Sequence, residues 1–319
     1  MSDDKNPVLK YWGQYEWSNV WAMLKNSMAE PDTCEEDFRG KLVVITGATS
    51  GIGYYTARKY ASRGAKLLTI NRNEQKSQAL CAEIRRDFGT TCDYLLADLS
   101  RLADVHRAGH TLADLETPID VLIHNAGVYL SQRLLTMDGI EMTFAVNYLA
   151  PFVINTLVKE KLKAQHRTRI ILVSSEGYRF AVWGLRLHDL NWDRRRYTGI
   201  RAYGASKTAQ LLTMMVFHDN LQGSGVTINA MHPGMVRTNT GRDNGPFYRW
   251  YKRTIIDRLS KSPEVSAEAI YYLGVSTALG GVSGKFFNLT KEEELAPPAR
   301  DREIAEALWE ISLEVGGLK

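Results

Sequence analysis

The stretch Thr46-Gly47-Ala48-Thr49-Ser50-Gly51-Ile52-Gly53 lies between an apolar run, Leu42-Val43-Val44-Ile45, and a segment of helical pattern from Tyr54 to Ser62. That order predicts a buried strand, a tight glycine turn and the start of a helix. Such a turn brings backbone N–H groups and the positive end of a helix dipole up to a pyrophosphate. Glycine serves there because a Cβ would block the approach of a phosphate or forbid the backbone angles. Alone the pattern is weak, since a purely structural turn can carry the same residues.

Outward from the turn, apolar runs alternate with helical segments. Strands are predicted at Leu42–Thr46, Lys66–Asn71, Cys92–Ala97, Val121–His124, Ile170–Ser174, Thr227–Met231 and Lys285–Leu289. Several are apolar on both faces, as strands of a covered parallel sheet are. The alternation predicts an α/β fold in one domain, a Rossmann-type doubly wound parallel sheet of about seven strands with helices on both faces. Ligands of such a sheet sit beyond the carboxyl ends of its strands.

The whole chain agrees with that class. Its 319 residues are long for an average domain but ordinary for an α/β one. A net charge of +4 makes no case for nucleic acid. Cys34, Cys81 and Cys92 are odd in number and lack metal-ligand spacing, so no metal is expected, and free thiols in a reducing compartment are. No apolar run approaches ~18 residues, so no spanning helix is predicted. Met1 to Asn6 are polar and acidic, unlike a secretory signal. The expected location is cytoplasmic, with membrane association as an open addition.

Two further stretches accompany the glycine turn: Asn125-Ala126-Gly127 and Tyr203-Gly204-Ala205-Ser206-Lys207. With Thr46, Gly47, Gly51 and Gly53 meeting a TGxxxGxG spacing, the chain resembles the short-chain dehydrogenase/reductase family from about Gly40 to Leu289. Asp189-Leu190-Asn191-Trp192 and Leu308-Trp309-Glu310 place the resemblance closest to the retinol dehydrogenase branch. It implies an N-terminal extension over 1–39, helical, and a family domain over 40–319 whose substrate lid lies at about 238–262.

The resemblance implies a nicotinamide dinucleotide site. Thr46, Gly47, Ser50, Gly51, Ile52 and Gly53 would form the phosphate turn. An acidic residue at the end of the second strand would bond the ribose hydroxyl, but the chain reads Ile70-Asn71-Arg72-Asn73. Arg72 can pair with a 2′-phosphate, which favours NADP(H) over NAD(H). A solvated loop arginine is the other reading, and Ser50 stands where some NADP-binding members carry a basic residue. Asp98 would bond the adenine amino group, with Leu99 along the base; alternatively Asp98 caps the helix that follows. Asn125, with Ala126 and Gly127, would support the sheet near the adenine ribose. Pro233 and Gly234 would cover the nicotinamide, with Val236 and Thr238 on its carboxamide.

Tyr203 and Lys207 are four apart on a helix expected from Tyr203 to Leu221, and so share a face. Free tyrosine, with a pKa near ~10, is a poor base at neutral pH. A neighbouring ammonium favours the phenolate and brings the group toward acid/base work. By resemblance Tyr203 exchanges the proton of the alcohol or carbonyl oxygen, and Lys207 also holds the nicotinamide ribose. Ser175, preferred over Ser174, would stabilise the substrate oxygen. Asn147 would order a water beside the lysine; a buried structural asparagine is the alternative.

Tyr178-Arg179-Phe180-Ala181-Val182-Trp183 and the aromatic segment around Phe247 would flank a lipophilic alcohol or carbonyl such as a retinoid, steroid or long-chain aldehyde. The same aromatics could instead pack a lid onto the core. Trp12, Trp17 and Trp21 suggest either a helix at a membrane interface or one packed on protein. A monomer or a homodimer is expected. A non-catalytic nucleotide sensor or scaffold would show a broken catalytic set, and a nucleotide-sugar epimerase a GxxGxxG turn; the chain shows neither.

Overall fold

The computed structural model describes residues 30–234 and 262–319, together with 10, 11, 13, 14 and 26. Strand β1, Leu42–Thr46, is buried along its whole length, and its Val-Val-Ile centre suits a position covered on both faces. The glycine turn leads into α1, Gly51–Ser62. The pattern then repeats through β2 (Lys66–Asn71), α2 (Glu74–Phe88), β3 (Cys92–Leu96), α3 (Leu102–Ala113) and β4 (Val121–His124). A short turn, Met142–Phe144, and a wide one, Ala145–Leu149, run into α4, Ala150–Gln165. After β5 (Arg169–Val173) come α5 (Gly199–Asn220), β6 (Thr227–His232), α6 (Pro263–Val275), β7 (Phe286–Asn288), β8 (Lys291–Glu293) and α7 (Arg302–Val315).

The sheet order is β3-β2-β1-β4-β5-β6-β7-β8. All pairings are parallel except the last, β7 with β8. The order reverses between β1 and β4, which opens a crevice at their carboxyl ends, where the glycine turn lies. Eight strands stand where about seven were expected. The extra strand, Lys-Glu-Glu, has no apolar residue to announce it and exists because the chain doubles back on β7. β5 starts one residue earlier than expected and stops before Ser174.

One core cluster lies under α3, α4, α5 and α7; a second lies under α1, α2 and α6. In the second, Phe38, Tyr60 and Tyr271 meet edge to face, Tyr60 and Tyr271 at 4.9 Å between centroids. Gly274 on α6 makes room for this group. A Cβ there would fall 1.9 Å from the Tyr60 hydroxyl. Tyr60 is completely buried and cannot swing aside. Gly274→Ala is therefore expected to destabilise the fold by about 1–3 kcal/mol, read as a lowered thermal midpoint. An unchanged midpoint would show that α6 can lift away from α1 at no cost.

The described part of the N-terminal stretch touches the domain. The Tyr11 hydroxyl donates to Asp301 at 2.7 Å, and the Asp32 N–H to the Thr290 hydroxyl at 2.8 Å. Trp12, Trp17 and Trp21 lie outside the described residues. Among the described residues no helix is long and apolar enough to cross a membrane, no group of side chains could hold a metal, and Cys34, Cys81 and Cys92 are free and buried.

Candidate active site

The turn between β1 and α1 is held from three sides. The Thr46 hydroxyl accepts the N–H groups of Asn125 and Ala126, each at 3.0 Å. The Asn125 amide donates to the carbonyls of Thr46 at 3.1 Å and Gly47 at 3.0 Å. Asn71 receives the Ala48 N–H on its side-chain oxygen at 2.8 Å. Gly47 and Gly51 have φ of +70° and +57°, the left-handed region that glycine favours. Ser50 is exposed at the N-cap of α1 and its side chain makes no capping bond, so the first N–H groups of the helix are left for another acceptor. Ile52 is buried against the sheet. This cradle fits a dinucleotide pyrophosphate.

Asn71 occupies the end of β2, but its oxygen is committed to Ala48 and its NH2 donates to the Thr69 hydroxyl at 2.9 Å. The next side chain, Arg72, is exposed. Asp98 does not cap α3, whose N-cap is Arg101. It closes a local turn instead, accepting the Ser100 N–H at 2.9 Å and hydroxyl at 2.7 Å. Leu99 is buried in the core beneath α3.

At the neighbouring strand end, β5 runs into a 3₁₀ turn, Glu176–Phe180, capped by Ser175. The Ser175 hydroxyl accepts the Gly177 N–H at 3.0 Å and lies near enough to the Tyr203 hydroxyl to lower its pKa. Ser174, the first residue past β5, is buried and gives its N–H to the Met231 carbonyl at 2.7 Å. Tyr203 and Lys207 lie one turn apart on α5, with the Lys207 Nζ 5.8 Å from the Tyr203 ring centre. Tyr129 meets the same ring edge to face at 5.7 Å.

Burial sets the electrostatics here. It pushes the Tyr203 hydroxyl above its ordinary value, against the nearby Ser175 hydroxyl, which lowers it. It also pulls the Lys207 ammonium down to about 7. The lowering of Tyr203 expected from Lys207 does not appear: burial raises the group, and what opposes it is the Ser175 hydroxyl.

Asn147 sits in the wide turn before α4 and is fully buried. Its side-chain oxygen accepts the Val128 N–H at 2.7 Å, and its NH2 donates to the Val128 carbonyl at 3.0 Å and to the Ser206 hydroxyl at 3.1 Å. It therefore staples the loop after Asn125-Ala126-Gly127 to α5. Gly127 leaves room for it, since a Cβ would come 3.3 Å from the Asn147 oxygen.

The run after Ser175 packs inward. Tyr178 is buried against Phe286, 5.3 Å between centroids, and its hydroxyl accepts the Ala296 N–H at 3.1 Å. Arg179 joins Glu176 and Glu293, the latter at 3.2 Å. Burial pushes the Glu176 carboxyl up to about 7, against the pull of Arg179. For Tyr178 and Arg179 the expectation of a substrate lining is replaced by packing that ties the serine loop to the β7–β8 hairpin. Pro233 is held through its carbonyl by the Ser266 hydroxyl at 2.5 Å, and Gly234 takes φ +79°. Val236, Thr238, the segment around Phe247 and the expected lid lie outside the described residues, apart from Ser262.

Two contributors carried no motif. Gly177 lies against Tyr203, where a Cβ would fall 2.9 Å from the ring. Gln210 touches both Lys207 and Asn147; its spacing of three from Lys207 was the available signal.

Comparison with known proteins agrees with this geometry. A model of the short chain dehydrogenase family matches residues 41–184 and 193–248. Retinol dehydrogenase 13 of Homo sapiens is 38% identical over 288 residues, covering 88% of this chain and 86% of that one. The crystal structure of an uncharacterised protein of Mycobacterium paratuberculosis superposes with a TM-score of 0.68 at 27% identity, covering 92% of this chain and 97% of that one. A short-chain dehydrogenase of Sphingobium yanoikuyae in complex with NADPH gives 0.60 at 25% identity, covering 73% and 84%. With a glycine cradle at the β1–β4 crevice and Ser175, Tyr203 and Lys207 gathered beside it, this chain belongs to the short chain dehydrogenase family of oxidoreductases.

Proposed function

We propose that the protein is an NADP(H)-dependent oxidoreductase that interconverts a lipophilic alcohol with its aldehyde or ketone, retinoid-, steroid- or long-chain-like, and works chiefly toward reduction. The observation that carries the reading is the convergence of Ser175, Tyr203 and Lys207 at one strand end: Gly177, whose N–H the Ser175 hydroxyl accepts, lies against the Tyr203 ring, and the Lys207 Nζ is 5.8 Å from the centre of that ring. A nicotinamide dinucleotide held by the glycine cradle would supply a hydride to the carbonyl carbon. Tyr203 then gives its proton to the carbonyl oxygen, while the Ser175 hydroxyl donates to that oxygen as charge builds on it. Hydride and proton together make the alcohol. The lipophilic class rests on the relatives named retinol dehydrogenases.

The preference for the phosphorylated cofactor rests on Arg72. Asn71 has spent its acceptor on the glycine turn, no acid replaces it, and the exposed Arg72 follows. Arg72→Ala is expected to weaken NADPH binding about tenfold, the effect of losing one exposed charge-assisted contact, and to leave NADH binding unchanged. Equal loss for both, followed by nucleotide fluorescence, would remove the argument. The partners in this reading are the nucleotide and a small lipophilic substrate, for a monomer or homodimer in the cytoplasm with its N-terminal stretch against the domain or a membrane surface.

The deciding experiment follows NADPH and NADH consumption by the purified chain against all-trans-retinal, a steroid ketone, a medium-chain aldehyde and an aromatic ketone. Turnover with NADPH supports the reading and ranks the substrates. Tight NADPH binding without turnover of any of them sinks it.

A further inference from the structure

In an α-helix the carbonyl of residue i accepts the N–H of residue i+4. For Asn147 that residue is Pro151, which has no N–H to give. The helix answers with the wide turn Ala145–Leu149, a local departure of the kind often found at working sites. A side chain from α5 supplies a donor: Gln210 Nε2 reaches the Asn147 carbonyl at 3.1 Å. The other end of the same amide faces the lysine. Lys207 Nζ donates to Gln210 Oε1 at 3.4 Å and to the Val173 carbonyl at 2.8 Å. Gln210 and Lys207, three residues apart, share a face of α5, and each is 3% exposed. The amide orientation follows from its neighbours, because a carbonyl demands the NH2 end and an ammonium the oxygen.

We propose that Gln210 is a positioning residue for Lys207, its amide anchored on the Asn147 carbonyl, whose i+4 residue is a proline, and its oxygen holding the lysine ammonium in place and protonated. A buried ammonium needs acceptors, and among the described residues these are the Val173 carbonyl and Gln210. Tyr203 is the titratable side chain beside it. Losing Oε1 leaves a single acceptor and releases the proton at lower pH; a carboxylate in its place retains the proton to higher pH. The consequence for turnover rests on the oxidoreductase reading above, whereas the effect on Lys207 itself does not.

The test compares the full chain with Gln210→Leu, Gln210→Glu and Gln210→Asn. The first readout is the titration midpoint of the Lys207 Cε resonance by carbon NMR, assigned through Lys207→Arg. The expected midpoint in the parent is near 7. Gln210→Leu should lower it by about one unit and Gln210→Glu raise it by about as much. Gln210→Asn, too short to bridge, should behave like the leucine variant. If Gln210→Leu does not fold, the other two decide. The second readout is NADPH-driven reduction: Gln210→Leu is expected to lose about tenfold in kcat with KM within about twofold. Midpoints that stay together in Gln210→Glu and Gln210→Asn overturn the proposal, as does a loss of kcat with no movement of the midpoint. Absence of turnover in the parent counts against the oxidoreductase reading, and the midpoints still decide the role of Gln210.

Discussion

Tyr203→Phe should reduce NADPH-dependent carbonyl reduction by about a hundred- to ten-thousand-fold, the range supplied by a positioned proton donor, while NADPH binding stays within a factor of about two. The ring remains, so its contacts with Tyr129 and with Gly177 survive. Only the hydroxyl goes, and with it the proton. The direction of the pH dependence follows from burial. Reduction requires the protonated phenol, and burial raises the Tyr203 value, so the phenol is the form present across the neutral range. Reduction by the parent should therefore decline across neutral pH as Lys207 loses its proton, and fall again on the alkaline side as the phenol ionises. Oxidation of the alcohol requires the phenolate and should rise with pH instead. Lys207, pulled down to about 7, loses its charge in the same neutral region, so its support for the phenolate weakens as pH rises and the oxidation limb is pushed further up. Rates measured in both directions from pH 6 to 10 check the signs. A variant that keeps a tenth of parental kcat would show that another group delivers the proton.

The elements legible from sequence were those whose burial is symmetric or whose motif is local. β1, β2 and β4 carry apolar residues on both faces, and their bounds match the expected ones. Tyr203 and Lys207 are legible because a helix brings residues four apart together whatever surrounds it. The elements that were not legible depend on partners far along the chain. The Lys-Glu-Glu of β8 is a strand only because β7 lies beside it. The aromatic run after Ser175 reads equally as pocket lining or core, and Tyr178 is decided by Phe286 and Ala296, more than a hundred residues away. Asp98 looks like a helix cap, but the helix starts four residues later and the carboxylate turns onto Ser100. The electrostatics of Tyr203 went the same way. A charge one turn off is visible in the sequence; the desolvation that raises Tyr203 and lowers Lys207 is a property of the packed site.

Gly53→Ala is expected to lower NADPH affinity about ten- to a hundredfold and to cost about 1–3 kcal/mol of stability. The reason is space, not backbone angle. A Cβ on Gly53 would fall 2.3 Å from the Gly47 carbonyl oxygen and 2.4 Å from the Asn125 amide nitrogen. The first obstacle is main chain of the phosphate turn itself. The second donates to the Thr46 and Gly47 carbonyls and holds β1 to β4. Neither can give without moving the N–H groups that face the nucleotide. Gly51 is the control. It takes φ +57° with nothing within 4 Å of an added Cβ, so Gly51→Ala meets only the left-handed penalty of about 1 kcal/mol. Thermal melts and NADPH titrations of the two variants should rank Gly53→Ala as the more damaged on both measures. Adding Asn125→Ala to Gly53→Ala removes one obstacle and leaves the carbonyl, so binding should not return to the parental value. Full recovery in that double variant would mean that the asparagine, and not the turn's own backbone, is what the missing Cβ protects.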